Sequence, residues 1–152
     1  MNLETEYLGL KLKNPLVPSA SPLSRDVSKA RELEDAGASA IVMYSLFEEE
    51  VREEEDQLED LVLGQSLGFG EADSYLPVLE DYTGATEEYL DQLSRLKDAL
   101  DIPVIASLNG TTDGGWVEHA RFMEEAGADA LELNIYNVPV YIFESGERVE
   151  QR

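Results

Sequence analysis

Apolar residues along the chain alternate between a helical spacing and short continuous runs. Val27, Ala30 and Leu33 recur at the spacing of one helix face, and Gly37 follows in the position that usually ends a helix. The next segment, residues 40–44, is an unbroken apolar run of the kind found in a fully buried strand. This stretch therefore predicts one helix followed by one buried strand.

The same order of elements returns twice further along. A helix is predicted from 86 to 100, followed by a strand over 102–106. A second helix is predicted over 113–126, ended by Gly127 and followed by a strand over 130–134. The first of these helices has one apolar stripe, formed by Tyr89, Leu93, Leu96 and Leu100.

Two of these units are similar in sequence. Residues 30–41 align without a gap to residues 120–131, and both stretches combine a helix end, a glycine stop and a strand entry. The identical positions are Ala30, Arg31, Glu34, Ala36, Gly37, Ala38 and Ala40. Short helix-to-strand loops between continuous apolar strands indicate a parallel sheet covered by helices.

The predicted organisation begins with a β-hairpin in residues 1–15. A βαβ unit follows over 16–47, with its first strand at 16–20, and then an acidic insertion over 48–85. Residues 86–152 hold the αβαβ continuation and the start of a further helix.

A doubly wound sheet and a (β/α) barrel both satisfy this α/β pattern. The barrel is favoured because no Gly-x-Gly-x-x-Gly follows the first strand and because polar residues end every strand. A complete barrel of this type has about 250 residues, whereas the chain has 152. We therefore predict the N-terminal half of a TIM-barrel-type fold, about four βα units preceded by the hairpin.

The acidic insertion opens with an unusual run of carboxylates. Residues 48–60 contain nine acids and one Arg. A calcium or magnesium cluster is conceivable there, but the Asp-x-Asp-x-Asp-Gly order of a ligating loop is missing, so a solvated helix followed by a loop is preferred and no metal is expected. In a barrel the insertion would follow the second strand and serve as a lid or an oligomer contact.

Charge and composition narrow the classes of partner. The chain has 33 acidic and 11 basic residues, a formal net charge of −22 and no cysteine. Nucleic acid and anionic membranes are excluded because they require clustered Lys and Arg. A disulfide framework and a thiolate nucleophile are excluded as well. The N-terminus shows no secretory leader, and the longest apolar run, 40–44, is too short to cross a bilayer, which predicts a cytoplasmic chain.

Small and amide side chains gather where the predicted strands end. The four strand ends are Ser19-Ala-Ser-Pro22, Tyr44-Ser45, Ser107-Leu-Asn-Gly110 and Glu132-Leu-Asn134 with its continuation to Asn137. Asn side chains offer both a donor and an acceptor, which suits the edge of a heteroaromatic ring such as a flavin or a pyrimidine. Lys, Cys and His are missing from these ends, so no nucleophile or strong base is evident.

Three longer segments carry a resemblance to a known family. Residues 7–21, 102–110 and 126–134 resemble the dihydroorotate dehydrogenase family, in particular its dihydroorotate dehydrogenase-like bacterial branch. The resemblance implies an FMN-binding barrel that oxidises dihydroorotate to orotate in pyrimidine biosynthesis. It also implies hydride transfer to the flavin while a base removes a proton from the neighbouring carbon.

The resemblance assigns roles to individual positions. Asn134 matches a strand-end Asn that contacts both flavin and substrate. The positions implied to contact the flavin are Ala20, Ser21, Ser45, Ser107, Asn109 and Asn134. Asn134 and Asn137 are implied to bind the dihydroorotate-like substrate.

Two positions depart from the family pattern. Tyr44 stands where the family has Lys, and Asn137 stands at the position of the catalytic base, although an amide cannot accept a proton usefully near neutral pH. Tyr136 is the alternative acid or base. The catalytic residue is therefore left unassigned, and strict dihydroorotate oxidation is not expected.

Three hypotheses of function follow. The first is an FMN-dependent oxidoreductase of the dihydroorotate dehydrogenase-like kind. The second is a non-catalytic half-barrel fragment or assembly partner that lacks the FMN phosphate site and forms a homodimer or binds a complementing half-barrel. The third is a barrel that uses the same strand ends for another substrate without flavin.

Overall fold

A computed structural model describes residues 2–66, 84–110, 115–135 and 145–150. The strands are β1 (Thr5–Tyr7), β2 (Leu10–Leu12), β3 (Ile41–Phe47), β4 (Val104–Gly110) and β5 (Ala130–Ile135). The helices are α1 (Val27–Asp35), α2 (Glu48–Ser66), α3 (Ala85–Ala99), α4 (Gly115–Glu125) and α5 (Gly146–Glu150), with a short 3-10 turn at Pro22–Arg25.

The described strands form two sheets. β1 and β2 pair antiparallel in the predicted N-terminal hairpin, with Thr5 opposite Leu12. β3, β4 and β5 form a parallel sheet in that order, and each adjacent pair is connected through helices. The α/β class and the parallel sheet are therefore confirmed. The three-stranded sheet is not closed, so the barrel stays a prediction.

Local chemistry explains where α1 begins and where two helices end. The carboxylate of Asp26 accepts a hydrogen bond of 2.7 Å from the backbone N–H of Ser28 and so caps the start of α1. Gly37 has a φ of +107° and Gly127 a φ of +96°, a conformation that residues with a side chain rarely adopt. The two glycine stops expected from the repeat are thus confirmed.

The segment 16–20, expected to be the first strand of the parallel sheet, is not a strand in the structure. It lies along β3, where Leu16 O accepts from Ser39 N at 3.0 Å and Pro18 O accepts from Val42 N at 3.1 Å. Pro18 has no N–H and so cannot return a hydrogen bond to β3. The segment therefore borders the sheet without completing a ladder.

The sheet has a helix-covered face and an opposite face, which we call the inner face. The helix side holds the larger core, which includes Ile41, Met43, Leu93, Leu96, Val104 and Met123, with Trp116 packed against it. The inner face holds a smaller cluster of Leu12, Ala40, Val42 and Ile105. The hairpin covers part of the inner face because Leu12 is buried at 3% exposure against the strands.

The acidic run 48–60 lies within helix α2, as the sequence predicts. Glu48 is 2% exposed and forms an ion pair of 3.1 Å with Arg52. Glu54 Oε2 accepts from the backbone N–H of Ala85 at 2.8 Å, so a side chain of α2 caps the start of α3. Gly84, which precedes α3, has no side chain that could make this bond.

The described ranges hold neither a cluster of metal-ligating side chains nor a helix suited to a membrane. No three Asp, Glu or His side chains there are grouped as a metal site would require. None of the helices in those ranges combines the length and the apolar character needed to cross a bilayer.

Candidate functional site at the carboxyl ends of the strands

The register of the parallel sheet aligns the polar strand residues in rows across the inner face. Ser45 lies opposite Ser107, and Ser107 lies opposite Glu132. One step further along the strands, Asn109 lies opposite Asn134. Alternation along each strand places these residues on the same face as Ile105. Towards the carboxyl ends of the strands, the apolar row that contains Ile105 is therefore followed by two polar rows.

The row nearer the apolar cluster is linked by hydrogen bonds. Ser107 donates to Glu132 Oε1 at 3.2 Å, and the hydroxyls of Ser45 and Ser107 are 2.9 Å apart. Because the single hydroxyl proton of Ser107 is directed to Glu132, Ser45 is the donor to Ser107. Asn134 Nδ2 contacts the same Glu132 oxygen at 3.5 Å. Glu132 thus connects Ser45, Ser107 and Asn134 in a single polar network.

A bulge in β3 shapes this row. The register between β3 and β4 shifts between Val42 and Ser45, which leaves one extra residue in β3. Behind the bulge, the hydroxyl of Tyr89 accepts from Ser107 N at 2.8 Å and donates to Ser107 O at 3.2 Å. Burial raises the pKa of Tyr89, which keeps its hydroxyl protonated and able to donate.

Tyr44 packs on the helix side of the sheet. Its ring contacts the Tyr89 ring edge-on at 5.0 Å between centroids, and the Arg25 guanidinium lies 4.0 Å from its centroid. Ser24 Oγ accepts from Tyr44 N at 2.7 Å. Burial raises the pKa of the Tyr44 hydroxyl, and the nearby Arg25 charge opposes this in part. Tyr44, which stands where the resemblance implies a Lys, is therefore held by an aromatic and cation–π cluster.

The two consecutive positions expected at the first-strand turn, Ala20 and Ser21, make different contacts. Ala20 packs against the inner cluster. Ser21 precedes the 3-10 turn, and its carbonyl accepts from Ser24 Oγ at 2.9 Å. Its side chain makes no capping hydrogen bond.

Asn109 has an acceptor without a partner. Its Oδ1 is buried and forms no hydrogen bond with any described residue. A buried amide oxygen in this state costs free energy unless a ligand or water satisfies it. Asn137 and Tyr136, the two positions considered for the base, lie outside the described residues.

His119 belongs to a different region, between α2 and α4. It lines a cavity of about 360 Å³ together with Glu48 and Thr86. His119 Nδ1 and Thr86 Oγ1 are both buried without a partner in the described ranges. The pair lies on the helical side of the fold, apart from the polar rows.

A cavity of about 410 Å³ lies between the hairpin and the inner face. Val42 and Ile105 line it from the sheet, and Tyr7 and Leu8 line it from the hairpin. Glu132 borders the same cavity and is the point where the apolar row meets the polar network.

Sequence reasoning placed Glu132 at a strand end without giving it a role. Its alternation with Leu131 and Leu133 was the pattern that could have identified it as facing inward.

The fold and the polar rows define a class of protein. Parallel α/β proteins bind ligands outside the carboxyl ends of their strands, where the Ser45–Ser107–Glu132 row and the Asn109–Asn134 row are found. The described part of the chain is thus a βα-repeat unit with a candidate strand-end site built from hydroxyl, amide and carboxylate groups.

Comparison with known proteins finds relatives of the kind that the sequence resembles. The chain is 31% identical over 134 residues to the NAD-dependent dihydropyrimidine dehydrogenase subunit PreA of Escherichia coli, a match that covers 88% of the chain and 32% of that protein. It is 28% identical over 140 residues to a protein of Aeropyrum pernix provisionally named dihydroorotate dehydrogenase A (fumarate), covering 88% of the chain and 40% of that protein. No family model matches.

These similarities confirm the resemblance seen in the sequence. The chain is similar over most of its length to dihydroorotate dehydrogenase-like proteins, since its relatives carry the names of dihydropyrimidine and dihydroorotate dehydrogenases. The chain spans between about a third and two fifths of the length of these curated relatives.

Proposed function

We propose that the chain supplies part of the flavin and substrate site of an oxidoreductase acting on a pyrimidine-type ring. The proposal is supported above all by the polar network of Ser45, Ser107 and Glu132 at the carboxyl ends of three parallel strands. The family relationship gives this network its chemical context, because the relatives are named as dehydrogenases of reduced pyrimidines.

The strand-end residues fit the ring of FMN. Asn109 Oδ1 needs a donor, which a ring N–H would provide, and the Asn134 amide can both donate and accept. Ala20 is small enough for a flat ring to lie against it, and the Ser45 hydroxyl lies on the same side of the sheet as Asn109. Bound flavin would supply the hydride acceptor. We assign ring contacts to these residues together with Ser21 and Ser107.

The phosphate of FMN finds no matching cation at the strand ends. Residues 41–47, 104–110 and 130–135 contain no Lys or Arg. We therefore propose that further polypeptide, in the same or another chain, supplies the phosphate site and the rest of a closed barrel. A homodimer and a complementing half-barrel are the two arrangements that would do so.

The chain's own residues have defined tasks in this function. The Glu132 carboxylate orients the hydroxyl of Ser107, and Ser107 in turn holds the hydroxyl of Ser45 by accepting its hydrogen bond. Asn134 reaches from the strand end to the substrate, and Asn137 binds it through its amide. The proton acceptor is left unassigned because Asn137 cannot serve as a base.

Flavin titration tests the proposal. The full chain is titrated with FMN and with riboflavin, and the change in flavin fluorescence gives two Kd values. We expect the two values to agree within about threefold, because no cation in the strands binds the phosphate. Flavin fluorescence that is unchanged by a large excess of the folded chain would contradict the proposal.

A matched pair of variants locates the site. Asn134→Ala removes one strand-end amide and should raise the riboflavin Kd by about fivefold, the equivalent of one hydrogen bond of about 1 kcal/mol. Asn2→Ala removes an exposed amide near the N-terminus and should leave the Kd unchanged. Equal effects of the two variants would place flavin binding elsewhere.

A further inference from the structure

A set of buried hydrogen bonds connects helix α3 with the 3-10 turn and with β3. Gln92 on α3 donates to Ser24 O at 2.9 Å, and Ser24 Oγ donates to Ser21 O at 2.9 Å. The same Ser24 hydroxyl accepts from Tyr44 N at 2.7 Å. Gln92 is 6% exposed and Ser24 is 2% exposed, so water has little access to these bonds. One buried serine therefore joins three separate elements.

Tyr89 extends this set of contacts to β4. Its ring contacts the Tyr44 ring edge-on at 5.0 Å between centroids, and its hydroxyl is bonded to the backbone N and O of Ser107. The backbone groups of a strand ordinarily pair with a neighbouring strand. At Ser107, next to the bulge in β3, a helix side chain is bonded to them. We call Ser24, Tyr44, Tyr89 and Gln92 the outer network.

The outer network is attached to three residues with proposed ring contacts, which lie on three different elements: Ser21, Ser45 and Ser107. Ser21 accepts a hydrogen bond from the serine of the network, and Ser107 is bonded by its tyrosine hydroxyl. Ser45 directly follows Tyr44 in β3. The aromatic rings of the network pack in the larger core on the helix side of the sheet. The network therefore supports the ring site from the side opposite to the proposed ligand.

We infer that Tyr89 and Ser24 are positioning residues for the ring site, which they hold in shape from the helix side without touching the ligand. The inference rests on the proposed function. A flat ring that bonds to several elements at once binds best when their spacing is fixed beforehand, because hydrogen bonds weaken away from their preferred distance and angle. Tyr89 fixes β4 in this way, and Ser24 fixes the 3-10 turn against β3.

Titration of the full chain with riboflavin and with lumiflavin tests this inference. The two flavins share the same ring, and lumiflavin lacks the ribityl chain. Tyr89→Phe removes one hydroxyl from behind the sheet, and we expect it to raise the Kd of both flavins by about fivefold, the effect of one weakened hydrogen bond. The two increases should match because only ring contacts are displaced. An unchanged Kd in the folded variant, or an increase for riboflavin alone, would overturn the inference.

A stability control separates positioning from general destabilisation. Gly37→Ala strains the backbone where α1 ends, at the opposite ends of the strands, and should leave both Kd values unchanged. Trimethylamine N-oxide stabilises folded proteins in general. It should therefore restore the unfolding midpoint of Tyr89→Phe, whereas the Kd should stay raised relative to wild type in the same solution. Affinity that returns together with stability would overturn the positioning role of Tyr89.

Ser24→Ala acts at another point of the outer network. It removes the hydroxyl that joins Ser21 O to Tyr44 N, and it should raise both flavin Kd values by about threefold or more. Ser94→Ala is the matched control, because it removes an exposed hydroxyl that bonds within α3 to Leu90 O. This control should leave both Kd values unchanged. Equal Kd values in the two serine variants would overturn the role of Ser24.

NMR without ligand lets the inference and the proposed function fail separately. The side-chain amide of Asn109 and the backbone amide of Ser45 report the geometry of the strand ends. Tyr89→Phe should shift both signals, whereas Gly37→Ala should leave them in place. Flavin binding together with unshifted signals in Tyr89→Phe would support the function and overturn the inference. Shifted signals in a chain that leaves flavin fluorescence unchanged would support the positioning of the strand ends and contradict the function.

Discussion

The hydroxyl of Tyr89 on α3 satisfies both the N–H and the carbonyl of Ser107 in β4, at 2.8 and 3.2 Å. It does so next to the bulge that shifts the register between β3 and β4. Tyr89 is fully buried, so water cannot replace this contact. One side chain thereby supplies a hydrogen-bond partner for both backbone groups of Ser107, at the position where the polar row begins.

Tyr89→Phe should destabilise the fold. The substitution keeps the packed ring but leaves two buried backbone groups without a partner, at a cost of about 1–3 kcal/mol in the free energy of unfolding. Urea denaturation measures the change. Tyr7→Phe, at a residue that is 53% exposed, is the control and should change the free energy by less than about 0.5 kcal/mol. Equal stability of Tyr89→Phe and wild type would contradict the bridging role.

Gly37→Ala tests the glycine stop after α1. The φ of +107° at Gly37 is strained for any residue with a Cβ, although no atom lies within 4 Å of the added group. We expect a loss of about 1–2 kcal/mol from backbone strain alone. Gly146→Ala, in similarly open space but at a helical position, should be neutral or slightly stabilising. Thermal unfolding of both variants gives the comparison, and equal midpoints would be the contradicting result.

Glu54→Ala tests the contact by which α2 caps α3. Loss of the bond to Ala85 N leaves the first turn of α3 without this charged acceptor, and caps of this kind contribute about 0.5–2 kcal/mol. Hydrogen exchange should show faster exchange of the amides at the start of α3. Glu53→Ala, an exposed neighbour on α2, should leave those amides unchanged. Unaltered protection in Glu54→Ala would rule out the cap.

The cap of α1 predicts a pH dependence. Hydrogen bonds from the Ser28 hydroxyl and N–H hold the pKa of Asp26 below its ordinary value of 3.8. Because the folded pKa is lowered, the stabilisation is present above the unfolded pKa and is lost as the pH falls through the folded value. NMR titration should find the Asp26 carboxyl below 3.8. The midpoint difference between wild type and Asp26→Ala should disappear in acid, and a difference that persists there would contradict the cap.

The features that the sequence predicted well are local. The end of α1 at Gly37 and the end of α4 at Gly127 follow from apolar spacing and from the conformational freedom of one residue. Both helix ends depend on residues within about one turn of each other. The parallel arrangement followed instead from the repetition of the same local unit along the chain.

The features that the sequence did not predict depend on distant pairs. The Tyr89 hydroxyl and the Ser107 backbone are 18 residues apart, and Glu54 and Ala85 are 31 apart. Tyr89 fits an apolar helix stripe equally well whether or not its hydroxyl has a partner. The hydrogen bond between Glu132 and Ser107 required the strand register, which apolar periodicity alone does not fix.

Residues 16–20 protect one edge of the sheet from wrong association. An exposed strand edge invites pairing with other chains, whereas Leu16 O and Pro18 O already accept from Ser39 N and Val42 N on this side of β3. The N–H of Leu16 is already bonded to Asn14 Oδ1 at 2.8 Å. A stray β-strand would thus find these backbone groups already bonded, which disfavours its pairing directly with β3 from that side.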